Sequence, residues 1–546
     1  MLYFDEVILT NPLGHTAKAH KYGMIYFTLA DLPLHLRCHL DFIFLVGVAR
    51  AEIMSSDTID DILKFIVNDL NELAQYKLYD TARGKVNISC NLSLIVGDTP
   101  AINRLLGLKE GVGFSFMKCR HCFANKEDFD IYFDLELFKK RNVSEHNVLC
   151  AQLLYSKTQS SSAEYSKETG INRYSALFQI NDMCTFDPFL QSPHDLMHIL
   201  FEGIIPHTLR EFFTTSLSNR ELSKTQLNSL QDLLNNFRFH ALDRSDSPKY
   251  LKISSFTDTN AHINLTAAST WTFLRCFPII ASSLNLNSLS TWPVIEILLR
   301  LTSNLVSRKF TDKSIVICKS LAIQYVTLYK NLFPSSSFIP KMHYLLHIVD
   351  SIPHLGPPIS YWTMRFEGKH KYFKSVTLHS NFRNILSDIA FNHSLQISFI
   401  SSHKNLEEQP SYRNFSKQPH IIECSLCSNN TNVGSISSYK SKFFTYYYNS
   451  ILVLGCNPGI FPIFGLIDKI CMCSIHNTPL FSLKVYLTES FEKCYNSFIC
   501  LPIQHDSFVI TLESLSYIEP LAFYKFSESC PKIIIPIKRN FESEFQ

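Results

Sequence analysis

Apolar positions along the first hundred residues recur in short runs and then switch to helical spacing. Leu2–Leu9, Tyr22–Leu29 and Asp41–Val48 are β-branched and aromatic runs, separated by Asn11-Pro12-Leu13-Gly14 and by Asp31-Leu32-Pro33. They predict three consecutive strands. Ile59, Ile62, Leu63, Ile66, Val67, Leu70 and Leu73 then keep to one face of a helix, with Ser55-Ser56-Asp57 offering caps before them. Val86–Val96 returns to a strand pattern and delivers Gly97-Asp98 at its end. Thr99 follows as the expected N-cap and Pro100 as the first helical residue. Asp98 is thereby expected at the C-terminal tip of a strand, where α/β folds place functional groups.

From about 150 to 335 the texture changes. Glu221–Phe237, Thr291–Leu301 and Lys319–Leu332 read as helices and clear strands are scarce, so this region is expected to be a helical insertion. Lys341–Ser351 reads as a helix that Pro353, Gly356, Pro357 and Pro358 stop, and Tyr361–Ser375 starts another. Residues 401–445 are rich in Ser, Asn and Lys and read as a linker. Beyond it, Ile451–Leu454, Phe461–Ile467, Phe481–Leu487 and Ser507–Leu512 predict a small all-β module over 446–546. The expected organisation is therefore 1–149, an insertion over 150–335, a closing part over 336–400, the linker and the β module.

Composition narrows the class. At 546 residues, 46% hydrophobic and 18% charged, the chain reads as globular, with length for roughly three domains. A net charge of +3 means that a nucleic-acid partner would have to be held by local basic clusters. Sixteen cysteines in so long a chain do not resemble a secreted disulfide scaffold. The start Met1-Leu2-Tyr3-Phe4-Asp5 has no basic and apolar leader pattern. Phe42 to Ala51 is about half the length a membrane helix needs. The expectation is a protein with reduced thiols and no membrane partner, in which a CxxC pair points to metal.

Two halves of a zinc site interleave with two acids. Asp98 precedes Cys119-Arg120-His121-Cys122, and His343-x-x-x-His347 precedes Glu367 at a nearly equal offset. CxxC with HxxxH is a Cys2His2 tetrahedral set, and histidines four apart on a helix project from one face. The gap between the halves is far longer than in a zinc finger, so the metal would tie distant stretches together. A chance CxxC beside two core histidines is the competing reading. Closing the zinc would bring Asp98 and Glu367 into one neighbourhood with Asp5, which lies in the first strand. Glu6 points to the opposite face, so only one of the two can enter the site, and Asp5 is preferred. Three converging carboxylates suit two magnesium ions on a phosphodiester. Taken singly, each acid is equally an ordinary strand-end residue, with Asp98 capping the next helix.

Glu367 lies in Met364-Arg365-Phe366-Glu367-Gly368-Lys369-His370-Lys371-Tyr372-Phe373-Lys374. Glu367, Lys371 and Lys374 share a helix face, and with Arg365 and Lys369 they supply cations suited to DNA phosphates; a surface ion pair is the plainer alternative. Asp195, His198 and Glu202 form another polar cluster that either lines the pocket or caps a helix. Cys424-x-x-Cys427 and Cys471-Met472-Cys473 lack partners at ligand spacing and read as incidental thiols. No GxGxxG, Walker A or nucleophile-elbow sequence is present, which leaves nucleotide hydrolysis and serine chemistry without support.

These residues resemble a known family. Asp5 with Asn11-Pro12-Leu13-Gly14, Val96-Gly97-Asp98-Thr99-Pro100, Cys119-x-x-Cys122, Asp195-Leu196-Met197-His198, His343-x-x-x-His347 and Met364-Arg365-Phe366-Glu367-Gly368-Lys369-His370-Lys371 are similar to the transposases of CACTA (En/Spm-like) DNA transposons. The order of acids and zinc ligands also resembles the V(D)J recombinase core. The resemblance spans roughly residues 1 to 380. It implies an α/β, ribonuclease-H-like mixed sheet with a large helical insertion, and the order of three strands, helix and strand matches the opening of such a sheet. It further implies cut-and-paste transposition by a metal-dependent nuclease and strand-transferase. Asp5, Asp98 and Glu367 would hold two Mg²⁺ ions, and Cys119, Cys122, His343 and His347 a structural Zn²⁺. DNA would be the partner, with a homodimer allowed, no small-molecule substrate, and the nucleus as location. Such families carry DNA-binding sequence ahead of the first catalytic strand, which here is expected to be missing. The alternative is a domesticated, catalytically silent DNA- or protein-binding protein.

Overall fold

The computed structural model describes the chain except residues 10–20, 56–57, 82–83, 126, 130, 156–157, 181–185, 259–260, 262, 404–410, 417–432, 457–460, 474–475, 504–507, 526–528, 542–544 and 546. The turn Asn11-Pro12-Leu13-Gly14, the caps Ser56 and Asp57, and the pair Cys424 and Cys427 lie outside the described residues. The fold is mixed α/β. Its elements begin with β1 (Leu2–Ile8), β2 (Lys21–Phe27), α1 (Leu34–Arg37), β3 (Phe44–Arg50), α2 (Ile59–Leu73), β4 (Lys77–Thr81), β5 (Gly84–Ile88), β6 (Ile95–Val96) and α3 (Thr99–Leu105). Helices follow as α4 (Val143–Leu154), α5 (Gln159–Thr169), α6 (Ile205–Ser218), α7 (Lys224–Asn236), α8 (Ala267–Ile280), α9 (Trp292–Leu305), α10 (Asp312–Leu332), α11 (Pro340–Leu355), α12 (Met364–Leu378) and α13 (Ile385–His403). The chain ends in β7 (Ser411–Arg413), β8 (Val433–Ile436), β9 (Ser438–Lys440), β10 (Thr445–Tyr447), β11 (Ile451–Gly455), β12 (Ile463–Cys473), β13 (Thr478–Glu492), β14 (Ser497–Pro502), β15 (Phe508–Ile510), β16 (Tyr517–Leu521) and β17 (Ile533–Pro536). No described helix is long and apolar enough to cross a membrane.

Two units share these elements. The first comprises Met1–Ile199 and Ser337–Lys404. Its sheet runs β3-β2-β1-β6, with β1, β2 and β3 antiparallel and β6 parallel to β1. Alternation along β1 sends side chains to two cores. Leu2 and Phe4 pack with α2 and α3 through Leu63, Val67 and Ile102, while Tyr3 and Val7 pack with Phe366, Phe373 and Ile389 of α12 and α13. Helices α2 and α12 thus cover opposite faces of one sheet.

Three local expectations are corrected here. The stretch Val86–Val96 is not one strand: Gly84–Ile88 pairs with β4 in a separate exposed hairpin, and only Ile95–Val96 joins the sheet. The extended segment between them is held differently, Leu2 N–H donating to Leu94 O and Ile95 N–H to Gln191 O. Pro353 does not stop α11: the helix runs through it and ends at Gly356, whose φ of +77° suits glycine. The N-cap before α3 is Asp98 rather than Thr99.

The second unit comprises Leu200–Ser336 and Asn405–Gln546, so the helices of the middle region and the C-terminal strands belong together. The larger sheet runs β16-β11-β12-β13-β14-β17, with β15 and β8 paired to its long central strands. Buried polar groups join helices to strands: Arg275 donates to Asp243 at 2.7 Å, and Tyr524 donates to the same carboxylate at 2.7 Å. The described part of 401–445 is not a linker. It finishes α13, supplies β7 to β9 and reaches the first residue of β10, because Tyr439, with Tyr446 just beyond, buries its ring against Phe481 despite the polar composition around it.

Candidate functional site

Strand register places the first two acids side by side. On parallel β1 and β6, Tyr3 is opposite Val96, and Asp5 and Asp98 each follow two residues later. β6 ends at Val96, and Asp98 follows it as a helix cap near enough for its charge to act on Asp5. Gly97 permits the approach, since a Cβ there would lie 2.9 Å from Phe4 O and press on Ile102. Glu6 takes the opposite face, where it pairs with Lys21 and Arg104.

Asp98 caps α3, its Oδ1 accepting from Ala101 N–H at 2.7 Å. Asp5 Oδ1 accepts from Glu6 N–H at 2.7 Å and its Oδ2 from the Tyr3 hydroxyl at 3.0 Å. Burial and the Asp98 charge push the Asp5 carboxyl up to about 6, against those two hydrogen bonds and the His198 charge. A site that resists losing its last proton in this way favours a cation.

Glu367, in the first turn of α12, closes the group through His198. His198 Nε2 lies 3.2 Å from Glu367 Oε1, and its Nδ1 lies 2.8 Å from Asp195 Oδ2. Burial opposes a charged imidazole here, but the Asp195 hydrogen bond and charge, with Glu367 and Asp98 beyond, raise His198 to about 9. It is an imidazolium at neutral pH. Asp195 is itself fixed by Thr363, whose N–H donates at 2.8 Å and whose hydroxyl donates at 3.0 Å; that hydroxyl also lies 3.3 Å from Glu367 Oε1. Asp195 also accepts from His198 N–H at 2.9 Å, so this aspartate both caps its helix and lines the site. Glu202 is exposed on the next turn and belongs to the second unit.

The other cations divide. Arg365, Lys371 and Lys374 are exposed on α12. Lys369 does not reach the surface and is corrected as a DNA contact. Helical spacing turns it away from Glu367, and its Nζ donates to Leu40 O at 2.9 Å and to Gln396 Oε1 at 3.1 Å. Burial lowers it to about 8, against the Asp41 charge.

Cys119, Cys122, His343 and His347 form a second, buried cluster whose ligand atoms all lie within 4.8 Å of one another. α11 projects both histidines from one face. His343 Nε2 lies 3.3 Å from Cys122 Sγ and 3.1 Å from His347 Nε2. Two imidazole nitrogens facing each other in a buried site with two sulfurs are the donor set of a tetrahedral metal such as zinc, whose corners stand roughly 3.3–3.8 Å apart for bonds of ~2.0 and ~2.3 Å. His121 N–H donates to Cys119 Sγ at 3.3 Å, and Phe129 stacks on His343 at 4.2 Å. Cys471 and Cys473 of β12 join no such group among the described residues. Asp5, Asp98 and Glu367 form no group of this closeness among the described residues.

Two links tie the cluster to the acids. Arg120, inside the CxxC, is buried and donates to Ser192 O at 2.8 Å and Pro193 O at 2.6 Å, bracing the segment that leads into Asp195. Lys341 of α11 donates to His198 O at 2.8 Å. Sequence reasoning missed Thr363, Arg120, the two groups that touch Asp5, Tyr3 and His370, and Tyr26, which reaches His370. The signals were present: Tyr3 shares a strand face with Asp5, and His370 stands three residues after Glu367 on one helix. No family model and no curated protein sequence matches the chain.

Proposed function

We propose that this chain is a metal-dependent DNA nuclease and strand-transferase of the cut-and-paste type, built on a ribonuclease-H-like core and acting in the nucleus. The observation that carries this reading is the register-matched pair Asp5 and Asp98, joined by Glu367 through the His198 imidazolium. The sheet order β3-β2-β1-β6, with the fourth strand parallel to the first, supports the ribonuclease-H-like assignment, and the Cys2His2 cluster supports a zinc that fastens the CxxC loop to α11.

Asp5, Asp98 and Glu367 would hold two Mg²⁺ ions, which when bound activate the attacking oxygen and stabilise the leaving one. The remaining work falls to the chain itself. Asp195 and Thr363 orient His198, and His198 holds the Glu367 carboxylate toward the sheet. Lys371 and Lys374, one and two turns beyond Glu367, hold backbone phosphates. In the first step an oxygen of water bonds to phosphorus as the bond to the 3′-oxygen breaks, and that oxygen leaves as a 3′-hydroxyl. In the second step the 3′-hydroxyl attacks a target phosphodiester, one P–O bond forming as another breaks.

The test is nicking of supercoiled plasmid in Mg²⁺ or Mn²⁺ by wild type and Asp98→Asn. Asparagine still caps α3, so the variant is expected to fold with wild-type circular dichroism and to lose nicking. Equal cleavage by both refutes the proposal. A wild type that binds DNA without nicking it in either metal favours the silent, domesticated alternative.

A further inference from the structure

A buried hydrogen-bond relay runs from Asp5 through Tyr3 and His370 to Tyr26. The Tyr3 hydroxyl donates to Asp5 Oδ2 at 3.0 Å and lies 3.2 Å from His370 Nε2. His370 Nδ1 lies 3.4 Å from the Tyr26 hydroxyl. His370 Nε2 also lies 3.5 Å from Asp5 Oδ2. With a neutral imidazole, one arrangement serves all three groups: Tyr26 O–H donates to Nδ1, Nε2–H points to the Tyr3 oxygen and the Asp5 carboxylate beside it, and Tyr3 O–H donates to that carboxylate. Both tyrosines and the histidine are buried.

The rings that carry these groups are fixed by stacking. Phe366 lies against Tyr3 at 4.7 Å, Tyr3 against Tyr26 at 5.7 Å, and Tyr26 against Phe373 at 5.6 Å. Phe366, His370 and Phe373 come from one face of α12, the helix that also carries Glu367. One helix therefore supplies the third acid and clamps the first.

We propose that His370 is a positioning residue which, through Tyr3 and with Tyr26 behind it, fixes the rotamer of Asp5 so that its remaining lone pairs face the metal position. This rests on the reading of Asp5, Asp98 and Glu367 as a divalent-cation site and deepens it. Partners of this kind around a ligand carboxylate are worth about 10–100-fold in metal affinity.

The experiment is calorimetric titration of Mn²⁺ into the full, zinc-loaded chain, with Asp98→Asn as the control that removes a proposed ligand. His370→Leu removes the relay and is expected to weaken Mn²⁺ binding at least about tenfold. His370→Gln, whose amide can both accept from Tyr26 and donate to Tyr3, is expected to restore binding to within about threefold of wild type. Tyr26→Phe keeps the stacked rings and deletes one donor, so it tests the relay even if His370→Leu fails to fold; its expected loss is about threefold. In nicking assays, the same variants should raise the Mn²⁺ concentration needed for half-maximal rate while leaving the rate at saturating Mn²⁺ near wild type. Wild-type affinity in both His370→Leu and Tyr26→Phe overturns the inference and leaves the cation site standing. Equal losses in His370→Leu and His370→Gln also overturn it, because packing rather than hydrogen bonding would then be at work. A wild type that binds no Mn²⁺, or binds it as tightly after Asp98→Asn, sinks the cation site itself.

Discussion

Replacing Cys119 and Cys122 together by serine removes both sulfur ligands while changing side-chain volume little. Four donor atoms within 4.8 Å, two of whose separations are 3.3 and 3.1 Å, need little movement to close on a tetrahedral ion. The metal would join positions 221 residues apart, Cys122 to His343. The chain-entropy relation for a cross-link of that span gives about 5 kcal/mol at 25 °C, since the cost grows only with the logarithm of loop length. At about 2 °C or more per kcal/mol for a unit of this size, the first unit should melt about 10 °C lower without its cross-link. Zinc content by elemental analysis, with thermal melts of wild type, chelator-treated wild type and the double variant, reads both quantities. The expected result is one zinc per wild-type chain, none in the variant, and similar depressed melting for variant and chelated protein. Wild type free of zinc, or a variant that keeps both its zinc and its melting temperature, refutes the cross-link.

Gly97→Ala should cost about 1–3 kcal/mol in denaturant titrations and depress nicking, because its Cβ would press on Phe4 O and shift Asp98 relative to Asp5; unchanged activity would argue that the β1–β6 register is not what aligns the acids. Substituting Lys371 and Lys374 by alanine should weaken DNA binding and reduce the slope of log affinity against log salt by about two, whereas Lys369→Met, buried against Leu40 and Gln396, should leave that slope alone. Glu519 of β16 is buried; burial opposes its charge, but Arg539, Lys538 and Arg308 lower its carboxyl from 4.5 to about 2. A depressed carboxyl contributes stability above its unfolded value and loses it as pH falls toward the folded one, so roughly 3 kcal/mol should disappear between about pH 5 and pH 2. Urea titrations across that range should show the loss in wild type and a flatter profile in Glu519→Gln.

How far the chain could be read from its sequence depended on whether a pattern or a partner decided each feature. α2 announces itself because one face is buried, which imposes a period of 3.6 on its apolar residues, while β1 and β2 show as short apolar runs because both of their faces are covered. β6 does not: it is two residues long, and Leu92 and Leu94 beside it are buried without joining the ladder, so apolar content over Val86–Val96 passed for one strand. The strands between Ser411 and Tyr447 were hidden by Ser and Lys, since a few buried tyrosines hold them and average composition does not weigh those few. Among the site residues, the acids and metal ligands could be named because their chemistry restricts which side chains can serve. Lys369 was misjudged because a cation in a basic run looks like its neighbours until its helix angle is set against α13. Tyr3 and His370 were passed over for the opposite reason: each is ordinary filler for its element, and only the packing of α12 on β1 brings them together. The same packing explains why the acids cannot be judged one at a time. Asp98 is a helix cap and Asp5 a strand residue by every local criterion; what sets them apart is a parallel register two residues upstream and a glycine with no room for a methyl group.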